Sequence, residues 1–395
     1  MVASGVAGAQ RVTISAKIVD KETKEPVSFA SIGLRDKSIG TVSNYQGEFD
    51  FHLPSNSLNE LLVINSLGYK SYEATVGSLL GRSPLIIEIE KSTIVLEEIM
   101  VKDSLKGGDI VSIAISRIPK NYPNAPFLMD VFYRDLKKIG GTYVSLLEAA
   151  VKIYDEDYEE PRNKNKLRER VSLQEVRRSL GYGNKFTTYF DEDNLLENLL
   201  LDNDVRYRNF PQEELFFENL VRERDSYYSG HEIFVVTLKA NYSLKIYVDK
   251  ETYGIIHLEY ENNLQSEQGK KRGLVSRFEH VKRIIDFKPF QGKLYLNYMQ
   301  SEQKLNWYDV RTNELKFETE LVQQLLINEV VPDTEERIGT TERMRGYGLQ
   351  YQDLPYNKEF WDNYNVIKES PLDRKIIDDL EKAGPLSKQF ENKRP

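Results

Sequence analysis

At 395 residues with a net charge of −8, the chain is too long for one ordinary domain, and its overall charge argues against a nucleic-acid or anionic-membrane partner. A hydrophobic content of 40%, with 24 Tyr and 17 Phe, supplies sizeable cores and excludes a disordered chain. The absence of cysteine excludes disulfides, zinc–thiolate sites, thiol nucleophiles and a lipid-modified N-terminal Cys.

The opening MVASGVAGAQ is small and apolar, with Ala7-x-Ala9 before Gln10. This is the pattern of a signal-peptide remnant over 1–10 with cleavage after Ala9, although the usual charged leading region is missing. No apolar run reaches the roughly 18 residues that a membrane-spanning helix needs. From Arg11 to Ser92, short alternating segments are separated by turn residues. The alternation predicts strands at Val12–Ile18, Phe29–Leu34, Thr41–Val42, Glu48–Leu53, Leu61–Asn65, Tyr69–Val76 and Leu85–Ile89. Seven short strands at regular spacing predict a small β-sandwich over 11–92.

The order VDKETKEPVSFASIGL, GTVSNYQGEF and INSLGY resembles the carboxypeptidase regulatory-like domain of Bacteroidota proteins, a prealbumin-like sandwich. The resemblance implies that Pro26 opens a strand, that Gly47 takes a positive φ, and that Gly68-Tyr69 marks a turn. Ala16-Lys17 departs from it, standing where a Gly is usual. VLEEIMVKD, Val95 to Asp103, is similar to the segment joining such a module to the plug of TonB-dependent transporters. No transporter barrel follows in this sequence. The family's name implies no peptidase: His52, His231, His257 and His280 are followed three residues later by Ser55, Phe234, Tyr260 and Arg283, none a carboxylate. His231-Glu232 starts an HExxH-like string, but Val235 replaces the second His and the run alternates as a strand.

A connector spans 93–126. Within it Ile110, Ile113, Ala114 and Ile118 share a helical stripe that predicts a helix over Asp109–Ile118, with Asp109 as N-cap. Pro119, Pro123 and Pro126 then enforce extended chain. FLMDVFYRDLKKIGGTYVSLLEAAVKIYD reads as two strands, 127–136 and 141–153. NYPNAP, FYR and YVSLLEAAVKIYD, across 112–154, resemble a second group of uncharacterised Bacteroidota envelope proteins that carry the same N-terminal module; that resemblance implies no known activity. DEDYEEPRNKNKLRER, 155–170, reads as a solvated loop, with Asp155, Asp157 and Glu159 as a weighed calcium alternative lacking the EF-hand pattern. Helices are expected at Ser172–Leu180, at Asp191–Leu201 capped by Asp191, and at Pro211–Arg222.

The densest alternation is Tyr242–Tyr260, YSLKIYVDKETYGIIHLEY, two strands around a polar turn. Around it, strands are expected at Glu232–Ala240, Tyr242–Asp249, Gly254–Glu261, Val275–Phe287, Lys293–Gln300, Lys304–Arg311 and Leu315–Leu325, with turns at PFQGK and TNE. The expected architecture is mainly β (α+β): the seven-stranded sandwich, then a large curved antiparallel half-barrel-like sheet over 127–330 with helical insertions. YVDKETYGIIHLEY resembles the half-barrels of lipoprotein carriers, in which a sheet wraps a helix or an acyl chain. The tail, 331–395, is expected to pack on the sheet: Phe360, Trp361 and Tyr364 are aromatic anchors, and Ser370-Pro371 opens a helix with Ile376, Ile377 and Leu380 on one face, stopped by Gly384-Pro385.

No residue is nominated as catalytic, cofactor-binding or metal-binding, and no cofactor is implied. The leading expectation is a non-catalytic periplasmic protein docked on the outer membrane, an accessory subunit of an outer-membrane transport or secretion complex such as the type 9 translocon or a TonB-dependent transporter. Its expected partner is an outer-membrane barrel or secretion-complex protein, met through edge strands. The alternative is a carrier whose apolar ligand sits in a hollow lined by Leu244, Ile246, Val248, Ile256 and Leu258. An enzyme with paired carboxylates, Glu148 and Glu259 among 62 acidic residues, is the third class.

Overall fold

The computed structural model describes residues 11–92, 105–179, 181, 188–190, 194–263, 265–344, 348–368 and 374–391. The suggested signal remnant, the LEEIMV connector, Asp191 and Ser370-Pro371 therefore lie outside the described residues. The chain forms two compact units.

The first unit contains β1 (Arg11–Asp20), β2 (Ser31–Leu34), β3 (Gly40–Val42), β4 (Glu48–Pro54), β5 (Leu61–Asn65), β6 (Tyr72–Thr75), the short helix α1 (Val76–Leu79) and β7 (Ile86–Ile89). The strands form two sheets, β4-β1-β7 and β3-β2-β5-β6, so the seven strands read from alternation are all present. Their period-two apolar residues meet in one core: Ile14, Ile18, Ile32, Phe49, Phe51 and Ile64 are all buried there. Gly47 has φ +72°, and a Cβ on it would overlap the Ile18 carbonyl, which explains a glycine at that turn.

This unit also takes in a segment from far along the chain. Helix α2 (Gly107–Ser116) and its successors belong to the second unit, but α7 (Lys358–Asn363) and the residues after it join the sandwich. Trp361, Tyr364 and Ile367 are buried, and the Asn357 side chain caps the helix by accepting from Phe360 N–H at 3.1 Å. Asn365 Oδ1 accepts from His52 N–H at 2.8 Å while its Nδ2 donates to the His52 carbonyl at 3.3 Å. Lys368 Nζ pairs with Asp50 at 2.9 Å, and Asn44 Nδ2 donates to the Lys368 carbonyl at 3.1 Å. Since β4 is a terminal strand of its sheet, these bonds occupy its outer edge. The expectation that the aromatic part of the tail lies on the large sheet is corrected: it groups with the sandwich unit.

The second unit is built on one twelve-stranded sheet. Its strands are β8 (Phe127–Ile139), β9 (Thr142–Asp155), β10 (Arg170–Arg178), β11 (Leu220–Arg222), β12 (Ser226–Tyr228), β13 (His231–Lys239), β14 (Tyr242–Asp249), β15 (Ile255–Asn262), β16 (Glu267–Lys271), β17 (Leu274–Phe290), β18 (Lys293–Asp309) and β19 (Leu315–Val331). The order is β10-β9-β8-β19-β18-β17-β15-β14-β13-β11, with β12 on β13 and β16 on β17. It is open, with β10 and β11 at its ends. Helices are α3 (Ile118–Asn121), α4 (Leu195–Leu201), α5 (Asp204–Tyr207), α6 (Glu214–Glu218), α8 (Arg374–Leu380) and α9 (Leu386–Glu391).

Several expected elements differ. Ser172–Leu180 is expected as helix, yet through Arg178 it lies in β10, paired with β9. A bulge between Leu173 and Glu175 inserts Gln174, so the apolar residues Leu173 and Val176 fall three apart and mimic helical spacing. The two strands expected at 293–300 and 304–311 are one strand, β18, because Ser301, Glu302 and Gln303 pair with β17 and β19 instead of turning. Pro211–Arg222 divides into α6 and β11, and α2 begins two residues before Asp109, whose carboxylate accepts from Lys106 N–H at 3.0 Å. The helix expected from Asp191 is described from Leu195, with Asn194 accepting from Glu197 N–H at 3.2 Å.

Cross-strand partners share a face, so the register assigns the two faces of the sheet. Gln323 pairs with Asp135 and faces α4, donating to the Leu195 carbonyl at 2.8 Å. Leu136 and Leu146 lie on the opposite face, in an apolar cluster with Ile376, Leu380 and Leu386 of α8 and α9. Both faces are thus covered by helices.

Replacing Asn365 by Ala would leave the His52 amide and carbonyl without their side-chain partner, a loss of about 1–2 kcal/mol. Hydrogen exchange should show faster exchange at His52, with the β1–β4 amides retaining their protection; unchanged His52 protection would contradict the edge assignment.

Candidate functional site

The hollow proposed for an apolar ligand is closed. Leu244, Ile246, Val248, Ile256 and Leu258 are at most 5% exposed. Helix α2 lies against β11, β13 and β14 and buries Ile110, Val111 and Ala114. It sits close because Gly107 has no side chain: a Cβ there would overlap the Leu220 carbonyl of β11. Tyr122, fully buried, donates its hydroxyl to the Ile255 carbonyl at 2.5 Å and stacks on Tyr158. A helix therefore occupies the place in which the tail aromatics or an acyl chain were considered. The register also corrects one lining residue: a bulge pairs Val248 with Ile255, so Ile256 falls out of alternation.

The candidate carboxylates are engaged and dispersed. Glu148, fully buried on β9, accepts from Arg134 Nε at 2.7 Å and from Arg177 Nε at 2.5 Å. Burial would raise its pKa, but Arg177 and Arg134 hold it below the ordinary carboxylate value. Glu259 accepts from Tyr247 at 3.2 Å and lies 3.4 Å from His257 Nε2. Five strand-to-strand steps separate β9 from β15, roughly 24 Å along the sheet at about 4.8 Å each, against the 5–10 Å of paired glycosidase carboxylates. The structure does not bring the two together.

The calcium alternative fails on the same ground. Asp155 is bound by Arg206 through Nε at 2.6 Å and a second nitrogen at 3.0 Å, Asp157 accepts from Glu159 N–H, and Glu159 is exposed. Among the described residues no three His, Cys, Asp or Glu side chains are grouped to hold a metal. His231 pairs with Asp249 at 2.9 Å on strand β13, as its alternation implied.

Sequence reading missed the partners of Asp155. The run 155–170 is not solvated throughout: Tyr158 and Glu169 are buried with Arg206, Tyr207 and Arg208. Arg206 also donates to the Glu159 carbonyl at 2.9 Å, Arg208 donates to the Tyr158 carbonyl at 2.5 Å, and Tyr207 donates a short bond to Glu169. The one local signal was VRYR between two polar stretches, cations and an aromatic where a surface loop would be expected.

A cleft of about 230 Å³ lies beside β10, lined by Val176, Arg177, Arg178, Tyr356, Gln389 and Phe390 among others. The volume is below that of pockets holding drug-sized ligands. Arg177 lies over the Phe390 ring at 5.2 Å, and Arg178 donates to the Gln350 carbonyl at 3.3 Å. With Met344 N–H bonded to the Val171 carbonyl at 2.8 Å, the chain after β19 runs along and covers the β10 edge. These arginines hold the sheet's own cover in place.

Residues 14–101 match the CarboxypepD_reg-like domain family, which agrees with the sandwich and extends over the following connector. No curated protein matches the chain. Among solved structures, lipovitellin is similar at 10% identity over 57% of this chain and 27% of its own, with TM-score 0.25. The MucA/MucB complex of Pseudomonas aeruginosa is similar at 8% identity, covering 58% of this chain and 99% of the other, with TM-score 0.17. A Bacteroides fragilis protein described as membrane-associated and of unknown function is similar at 9% identity, 81% and 98% coverage and TM-score 0.16. This chain spans about a quarter of the lipovitellin chain, and all three scores lie far below that of a shared fold.

The buried network sets a pH response. Burial, then the nearby Asp155 charge, pushes Glu169 up to about 7, against the attraction of Arg206. The folded state therefore keeps a proton that the unfolded chain releases near 4.5, and stability from this group falls as pH rises from about 4.5 to 7. His257 acts in the same direction at higher pH: hydrogen bonds to Asp286 and Glu259 outweigh burial and push it up to about 9, so its stabilisation is complete below 6.5 and lost as pH rises through 9. Thermal unfolding of the wild type should rise in midpoint as pH falls through the Glu169 window. Glu169→Gln should lose that part of the slope while keeping the part near pH 9; parallel profiles would contradict the assignment.

Proposed function

We propose that the chain is a non-catalytic interaction protein of a Bacteroidota cell envelope, an accessory subunit of an outer-membrane transport or secretion complex. The observation carrying this reading is the regulatory-like sandwich at residues 14–101, joined to a sheet whose faces are filled by the chain's own helices. A sheet closed in this way is a scaffold, and its candidate carboxylates serve ion pairs. Among the described residues no helix is long and apolar enough to cross a membrane.

The edges suggest where a partner docks. In the sandwich the β4 edge is occupied by Asn365, whereas β7 is the opposite terminal strand, with Ile86 55% exposed. An extended partner strand added to β7 would gain main-chain hydrogen bonds and cover Ile86.

Affinity purification of tagged protein from its native envelope tests the reading. A stoichiometric outer-membrane barrel or secretion component is expected, with recovery reduced at least about tenfold by Ile86→Lys. Recovery of the protein alone, from extracts in which it is folded, would overturn the accessory-subunit reading.

A further inference from the structure

The overall charge of −8 conceals a local reversal. Strands β17, β18 and β19 are 17 residues each, against eight for β14 and β15, and two turns meet at one end of them. In the first, β16 turns into β17 through Arg272-Gly273; in the second, β18 turns into β19 around Asn313. Val310 N–H bonds to the Gly273 carbonyl at 3.0 Å, and Arg277 donates to Asn313 Oδ1 at 2.7 Å, so the turns form one tip.

This tip carries Lys270, Lys271, Arg272, Arg277, Arg311 and Lys316 against Glu267, Asp309 and Glu314, a net charge of +3. Lys270 and Lys316 pair with Glu267 and Glu314, at 3.5 and 2.6 Å, while Arg272 and Arg311 make no ion pair among the described residues. Between the cations stand two of the exposed aliphatic side chains of the protein, Val310 at 47% and Leu315 at 51%. Asp309 is spent within its own turn, accepting from Arg311 and Thr312 N–H at 2.8 and 3.0 Å.

We propose that this tip docks on an anionic lipid surface. Exposed aliphatic groups enter the interfacial layer while the arginines and lysines around them meet the headgroups, each cation near such a surface adding attraction of about 1 kcal/mol, or roughly fivefold. A soluble polyanion would be held by the cations but would gain nothing from Val310 and Leu315, and those two residues favour the lipid occupant. The assignment is independent of any protein partner at β7.

Co-sedimentation of the full chain with vesicles tests this. Binding is expected to vesicles of equal parts phosphatidylcholine and phosphatidylglycerol, weakening with salt, and little to pure phosphatidylcholine. Arg272→Gln with Arg311→Gln should reduce affinity at least about tenfold, and so should Val310→Ser with Leu315→Ser. Circular dichroism and unfolding midpoints equal to wild type establish that each variant is folded; if one is not, the salt dependence and lipid preference of the wild type decide the matter. Equal binding to both vesicles, no binding at low salt, or retention on heparin with no vesicle binding would each overturn the proposal, the last assigning the tip to a soluble polyanion.

Discussion

The pairing of β19 with β8 is the contact on which the second unit depends. It runs from Thr319↔Ile139 to Val331↔Leu128 and joins segments nearly two hundred residues apart. Without it, β8–β10 would be a separate three-stranded piece and the meander would end at β19. With it, one sheet presents two long faces, and each must be covered. The chain provides the cover itself: α4 and α5 on one face, α8 and α9 on the other, and α2 over β11, β13 and β14. The closed hollow follows from this demand, since an open apolar face of such a size would favour association.

Much of the local structure was legible because it is local chemistry. The turn DKETYG is encoded by Asp249, which accepts from Glu251 N–H, Thr252 N–H and the Thr252 hydroxyl within 3.0 Å. The seven strands of the sandwich alternate cleanly, and the hairpin Tyr242–Asn262 appears where its pattern placed it. Misreadings arose where alternation is interrupted for reasons outside the segment. Gln174 is a bulge; Ser301 is polar in mid-strand and pairs with polar neighbours on both sides, Arg283 and Gln323. A single sequence gives a polar triplet the same appearance whether it turns or sits within a ladder.

What the sequence hides most is pairing at a distance. Asn365 and His52 are 313 positions apart, and nothing in either neighbourhood announces that one caps the edge of the other's strand. Arg206 reaches Asp155 across 51 positions, and Glu148 lies between cations from two neighbouring strands. Composition counts these charges as surface. In the fold they are buried and mutually satisfied, the arrangement in which loss of one member is costly while the intact group adds little net stability. Their role is to fix which loop lies on which part of the sheet. The same averaging explains why an acidic chain can carry a cationic hairpin tip.

The central claim is that the sheet is filled by its own helices and acts as a scaffold, not as a container. Native mass spectrometry of protein purified from its own envelope, released gently and then denatured to extract anything bound, tests it most directly. The account predicts no lipid retained at stoichiometric amounts. A tightly held lipid, released only on unfolding, would show that α2 yields its place to a ligand and would contradict the account.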